Sequence, residues 1–219
     1  MYSIAHIVED IVKHKPYLSE ALAAGIINIS ALARQIQPEV EKALQKPVNP
    51  GAIVMALNRL APYFQVREQA QLMKLLNSMG DIILRSDLCD YTFKNSRSLL
   101  ECHTGLLQTI SKKEEVFYTL VQGVFETNLV VSDVLEEMVD DCFKEEQCIF
   151  KQNGLSSVTL KLPKGNVLQP GFYYSIMKEL SWEGINLTEV ISSTHEFTVV
   201  VDNALIDKTF VVLKNIGRK

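Results

Sequence analysis

The 219-residue chain is 47% hydrophobic and 22% charged, with a formal net charge of −4. Such a length buries a substantial core in one or two domains, and the composition is that of an ordinary globular protein. The mild acidity does not point to a nucleic-acid binder with a broad basic face, and no apolar run reaches the ~20 residues of a membrane span. The opening M-Y-S-I-A-H-I-V-E-D lacks the basic start and apolar core of a secretory leader. Four separated cysteines, Cys89, Cys102, Cys142 and Cys148, form no C-x-x-C pair. A reduced, cytoplasmic protein without a zinc site or membrane contact is the expectation.

From the N-terminus, Ile4, Ile7, Val8, Ile11 and Val12 recur at helical spacing, and Pro16 ends or restarts the helix. Tyr17 to Ala24 predicts a short second helix closed by Gly25. Asn28 and Ser30 are candidate caps for a third, which carries Leu32, Ala33, Ile36, Val40 and Leu44, with a kink or break at Pro38. Pro50 and Gly51 open a helix that is expected to end before Pro62. Several short helices with tight turns resemble a helix-turn-helix module. In that reading the helix from Pro50 to Leu60 is the one presented to a partner. Arg34, Lys42, Lys46, Asn58 and Arg59 are then the groups able to meet DNA phosphates or base edges. Residues 1–80 hold 8 Lys+Arg against 6 Asp+Glu, a thin basic excess, so a packing or dimerisation role stays open beside DNA contact.

Leu72, Leu75, Leu76 and Met79 predict a connecting helix. After Asp81 the pattern changes to a strand with Leu84, Leu88 and Phe93, then a helix from Ser98 to Ile110 with Leu99, Leu100, Leu106, Leu107 and Ile110 inward. Two strands, Glu115–Gln122 and Thr127–Ser132, an acidic helix Val134–Phe143 and a short strand at Cys148–Phe150 complete a β-α-β-β-α-β order. The same order begins again at Ser156. Val158, Leu160 and Leu162 alternate as in a half-buried strand, and Pro170-Gly171 opens a helix bearing Phe172, Ile176, Met177 and Leu180. Gly184 closes it, two strands meet at Ser193-Thr194-His195, and Ala204–Ile216 forms a last helix. No residues remain for the second copy's final strand, so the paired unit supplies that edge or the sheet ends short. The expected fold class is α+β: a helical module over residues 1–64, a connecting helix over 65–80, and tandem ferredoxin-like βαββαβ units over 81–153 and 154–219.

The strand, the P-G-opened helix, E-G-I-N-L, I-S-S and E-F-T-V-V-V-D resemble an ACT domain. They are most similar to the C-terminal regulatory ACT domains of aspartate kinases. The resemblance covers Ser156 to about Ile216; the first copy lacks the Pro-Gly start and the Gly-Ile-Asn, and joins by element order alone. It implies a small effector, usually an amino acid, held at an interface between paired ACT units, here by Gln169, Pro170, Gly171, Phe172, Asn186 and Leu187. The residues add a physical reason, since free amides at a helix start suit a carboxylate and Gly171 allows close approach.

Catalytic signals are poor. His6, His14, His103 and His195 have no nucleophile or ligand spacing around them, Gly-rich phosphate loops are absent, and E-E-M-V-D-D reads as a solvated helix face. No catalytic residue, metal or cofactor is expected, and nothing resembles a kinase domain. The chain reads as a non-enzymatic regulator that senses an amino acid, pairs as a homodimer through its ACT units, and contacts DNA if the helical module does. It reads alternatively as an assembly protein, or as a regulatory subunit for a separately encoded aspartate kinase.

Overall fold

The computed structural model describes residues 3–66, 68–111, 113 and 116–216, and the side chains of all of these except residues 16 and 63–71. Two compact units divide the chain, Met1–Lys74 and Leu75–Lys219.

In the first unit, α1 (Ile4–Lys13), α2 (Pro16–Ala23), α3 (Ile29–Leu44) and α4 (Pro50–Val66) enclose one apolar core. Helix α4 packs against all three others through Ile53, Ala56 and Leu57. The caps follow the sequence: Ser3 Oγ accepts from the His6 N–H and Asn28 Oδ1 from the Ala31 N–H at 3.0 Å. Gly25 ends α2 at φ 68°, a left-handed conformation that favours glycine. Two prolines act against expectation, since Pro38 lies within α3 and Pro62 within α4, which continues to Val66. Each proline removes a bond to the carbonyl four residues back, on Arg34 and Asn58. All four residues are exposed, so water can satisfy the freed carbonyls and the helices persist. Helix α5 (Glu68–Asn77) follows.

The second unit runs β1 (Ile82–Lys94), α6 (Leu99–Ile110), β2 (Tyr118–Gln122), β3 (Glu126–Ser132), α7 (Glu136–Cys142), β4 (Cys148–Lys161), α8 (Phe172–Trp182), β5 (Glu189–Ser192), β6 (Glu196–Asp202) and α9 (Ile206–Asn215). Short 3₁₀ turns at Asp133–Leu135 and Asn203–Leu205 precede α7 and α9. The α+β class with two βαββαβ repeats is the one expected. The repeats share a register: Leu88–Lys94 pairs with Glu126–Ser132 just as Leu155–Lys161 pairs with Glu196–Asp202.

Two expectations are corrected. The closing strand at Cys148 and the opening strand at Ser156 are one continuous β4, because Gly154 at φ 72° lets the chain pass from one ladder to the other without a loop. The second repeat's missing strand is supplied by the start of β1, where Ile82–Arg85 pairs with Ser157–Leu160. The later part of β1 pairs with Cys148–Leu155, so each repeat completes the other and the sheet is continuous, β2-β3-β1-β4-β6-β5. A third correction concerns α6, where Leu99, Leu106 and Ile110 are buried but Leu100 and Leu107 are 54% and 40% exposed. One sheet face covers only one stripe of a helix, and a residue one step along is turned away by about 100°.

Helices pack on one face of this sheet, against Cys89, Tyr91 and Phe93 in the first repeat. The other face is also buried. Leu88, Val130, Leu155 and Val200 form a cluster flanked by Phe117 and Ile191. The side chains of Asn128 on β3 and Glu189 on β5 touch at 3.0 Å, although those strands stand four places apart, about 19 Å in a flat sheet. The sheet therefore curls until its two halves face one another. The bend falls where Asp87 (φ 58°) and Gly154 interrupt the β1–β4 register.

Candidate functional site

The loop leaving β4 is built before it is charged. Leu162 is buried and its N–H donates to the His195 carbonyl at 2.7 Å. Gly165 at φ 95° turns the chain into the 3₁₀ turn Asn166–Leu168. Asn166 is buried, and its Nδ2 donates to the Thr194 carbonyl at 3.1 Å, tying this loop to the β5–β6 turn. Gly171, at φ 82°, is the N-cap of α8, and no side chain caps that helix. The first-turn amides beyond Phe172 are therefore left without a side-chain cap at the positive end of the helix dipole. Val167 and Leu168 beside them are exposed.

The structure places the six expected ligand residues in two groups. Gln169, Pro170 and Gly171 form the rim at the start of α8, with Gln169 half-buried and the other two exposed. Phe172 is 1% exposed and packs edge-on against Tyr173 at 5.8 Å. Its ring is buried, and its N–H already donates to the Gln169 carbonyl at 3.4 Å. Asn186, exposed, and Leu187, half-buried, follow Gly184 (φ 67°) at the other end of α8, where the Ile185 N–H donates to the Leu180 carbonyl. The eleven residues of α8 separate the groups by about 16 Å within one chain. Meanwhile Tyr173 Oη and Ser192 Oγ meet at 3.1 Å, which brings the end of β5 to the helix start. Tyr173, Ser192 and Asn166 were not expected at the site. Only the asparagine in K-G-N signals a turn that a side chain can pin.

Next to Leu187 the chain enters β5 at Glu189, which is half-buried between the halves of the sheet. Asn128 Nδ2 donates both to Glu189 Oε1 and, at 2.7 Å, to Asp90 Oδ1. Burial raises the pKa of both carboxyls, and the Asp90 charge raises Glu189 further. At the cysteines, burial and then the Glu136 carboxylate push the Cys89 thiol up to about 12, which leaves it unreactive at neutral pH. His103 stacks on Tyr118 at 5.8 Å, and Cys102 Sγ donates to Glu146 at 3.8 Å.

In the first unit Arg34, Lys42, Lys46, Asn58 and Arg59 are all exposed. Arg34 stands about 15 Å along α3 from the loop that bears Lys46, and Arg59 about 14 Å along α4 from the same loop. Lys46 is therefore separated from the two arginines. The loop itself is held by Glu41, whose Oε1 accepts from the Val48 N–H at 2.9 Å and from Gln37 at 3.0 Å. Those two bonds hold the Glu41 carboxyl below its usual value.

No family model matches the chain, and no curated protein matches it. Solved structures do. The regulatory subunit of aspartate kinase from Thermus thermophilus, in its ligand-free form, aligns with a TM-score of 0.51 at 10% identity, over 64% of this chain and 98% of that one. Aspartate kinase from Clostridium acetobutylicum aligns at 0.51 and 17% identity, over 63% of this chain and 34% of the enzyme. The enzyme from Synechocystis aligns at 0.50 and 14% identity, over 63% and 26%. The chain thus spans 34% and 26% of the two whole kinases and nearly all of the regulatory subunit. What it shares with them is the fold.

Proposed function

We propose that the chain is a non-catalytic regulator whose ACT-like repeats bind a small effector, an amino acid, at the start of α8. The observation that carries this reading is the uncapped first turn of α8 behind Gly171, on a loop pinned by Asn166 and open to solvent. An effector carboxylate satisfies those amides and meets the positive end of the helix dipole.

The separation of Asn186 and Leu187 from Gly171 suggests how the site is completed. Among the described residues strand β5 is an edge, paired with β6. A second copy related by a two-fold axis perpendicular to that edge runs its own α8 in the opposite direction. Its Asn186 and Leu187 then approach this copy's Gln169–Phe172 segment, and a homodimer frames two effectors. Effector binding favours the paired state because both copies contact it. The N-terminal helical module, with α3 bearing on the turn, α4 presented to the partner and Arg34 and Arg59 exposed, transmits that change to DNA. The second reading is a regulatory subunit for a separately encoded aspartate kinase, and the 98% coverage of the Thermus thermophilus subunit favours it.

A thermal-shift screen of the full chain against the twenty amino acids tests the sensing role. At least one should raise the melting midpoint, and Asn186→Ala should abolish that rise. If none does, the effector reading fails. Titration with random duplex DNA at low and moderate salt separates the two outputs: a regulator of genes binds with affinity that falls as salt rises, and a kinase subunit does not bind.

A further inference from the structure

We infer that Glu146 is a built-in occupant of the first repeat. Its side-chain carboxylate holds the start of α6, the place that the second repeat leaves open at the start of α8, and closes the first repeat to a carboxylate from outside. That the chain then takes one effector rests on the reading of α8; the closure of the first repeat does not.

The shared register lays the two repeats on one another. Lys94 ends β1 and Lys161 ends β4, and their N–H groups donate to the carbonyls of Gln147 and Asp81, both at 3.0 Å. The residue before Gln147 is Glu146, and the residue before Asp81 is Gly80. Glu146 therefore brings a carboxylate to a corner of the first repeat where the second repeat has no side chain. At Gly80 the backbone packs closely instead. Its N–H donates to the Lys161 carbonyl at 2.9 Å, and a Cβ there would meet the Lys161 side chain at 3.1 Å.

Glu146 reaches the start of α6 through a hydroxyl. Its Oε2 accepts from Ser96 Oγ at 2.6 Å, and Ser96 Oγ accepts in turn from the N–H of Leu99, the first residue of the helix, at 3.1 Å. Its Oε1 faces the Cys102 thiol, one turn further along, at 3.8 Å. Hydrogen bonds from Ser96 and then Ser98 hold the Glu146 carboxyl below its usual pKa, so it is charged at neutral pH beside the positive end of the helix dipole. The Glu101 and Cys102 amides go to the Ser98 carbonyl, and the turn is held by the chain's own groups. Helix α8, with Gly171 as its N-cap and no side chain capping it, lacks such an acid. A second carboxylate brought to α6 would meet the charge of the first and be repelled.

Thermal unfolding of the full chain in sodium acetate, against sodium chloride at equal ionic strength, tests the assignment. Glu146→Ala should lower the melting midpoint by about 2–4 °C. Acetate should then raise the midpoint of this variant more than that of wild type, because the free anion takes the side chain's place. Glu146→Gln keeps that place filled and should show no such gain, and adding Ser96→Ala to Glu146→Ala should cancel it. Equal acetate shifts in wild type and Glu146→Ala overturn the inference. So does an extra shift that Glu146→Gln shows as strongly, or that survives the loss of the Ser96 hydroxyl. The two readings fail separately: a positive amino-acid screen without acetate rescue removes only the closure of the first repeat, and rescue with a negative screen removes only the effector at α8.

Discussion

Single side chains in the interior carry the main electrostatic tension. Asp90 on β1 and Glu189 on β5 come from opposite halves of the sheet and share the one amide nitrogen of Asn128. Burial raises Asp90 above its usual 3.8 and Glu189 above its usual 4.5, so the folded protein holds protons that the unfolded chain has released. Their contribution is therefore least favourable above the folded pKa values and improves as pH falls through them towards 4. Asp90→Asn keeps an acceptor for Asn128 and removes one charge. At pH 7 it should stabilise the protein by on the order of 1 kcal/mol, a rise of about 2–4 °C in Tm. The gain over wild type should shrink at pH 4. Calorimetry at both values checks this, and a less stable variant at pH 7 would contradict the assignment. Asn166 poses the opposite case, a buried polar group that is satisfied. Asn166→Ala leaves the Thr194 carbonyl without its donor and should cost about 1–3 kcal/mol in urea unfolding. Its loop also positions the proposed effector amides, so the effector-induced thermal shift should fall with it.

At the level of elements, β1 and β4 explain the unit. Each strand serves one repeat with its first part and the other repeat with its last, so neither repeat owns a complete sheet. A fragment of residues 154–219 lacks β1 and the start of β4, and should be unfolded by circular dichroism. Residues 75–219 should unfold in one cooperative transition. A folded, monomeric 154–219 fragment would show that the exchange of strands is dispensable. Helix α8 contributes through its start. Gly171 adopts φ 82°, where a Cβ costs about 1–2 kcal/mol. Gly171→Ala should destabilise by that amount and move the first-turn amides, weakening effector binding more than overall stability. Comparison of denaturation midpoints with effector titrations separates the two effects.

For the whole molecule, the curled sheet leaves β5 as an edge strand beside the proposed site, and the proposed dimer would complete the site through that edge. Sedimentation equilibrium should then show a dimer that the effector tightens, and Val190→Lys on the edge should shift it towards monomer. A dimer insensitive both to effector and to Val190→Lys would separate assembly from sensing. The fold shared with aspartate kinase regulatory domains, at 10–17% identity, leaves the choice of effector to be read from these titrations.

Much of this architecture was already legible in the chain. The 3.6 and 2.0 periodicities, Asn28 as a cap, Gly25 and Gly184 as helix ends and Pro170-Gly171 before α8 are local signals, because each reflects one residue's own backbone or a contact within a turn. The repeat was legible for the same reason, as an order of local elements. Long-range facts were not. That β1 completes the second repeat depends on pairing between residues some seventy-five positions apart, as in Ile82 with Leu160. That Asp90, Asn128 and Glu189 meet depends on a bend in the sheet that no periodicity records. The site divides in the same way. Gly171 and the loop before it were visible as turn chemistry, but the distance from Gly171 to Asn186 is set by the length and direction of α8. The cluster of Leu88, Val130, Leu155 and Val200 depends on how the two repeats close on one another, and such packing exists only once the chain has folded.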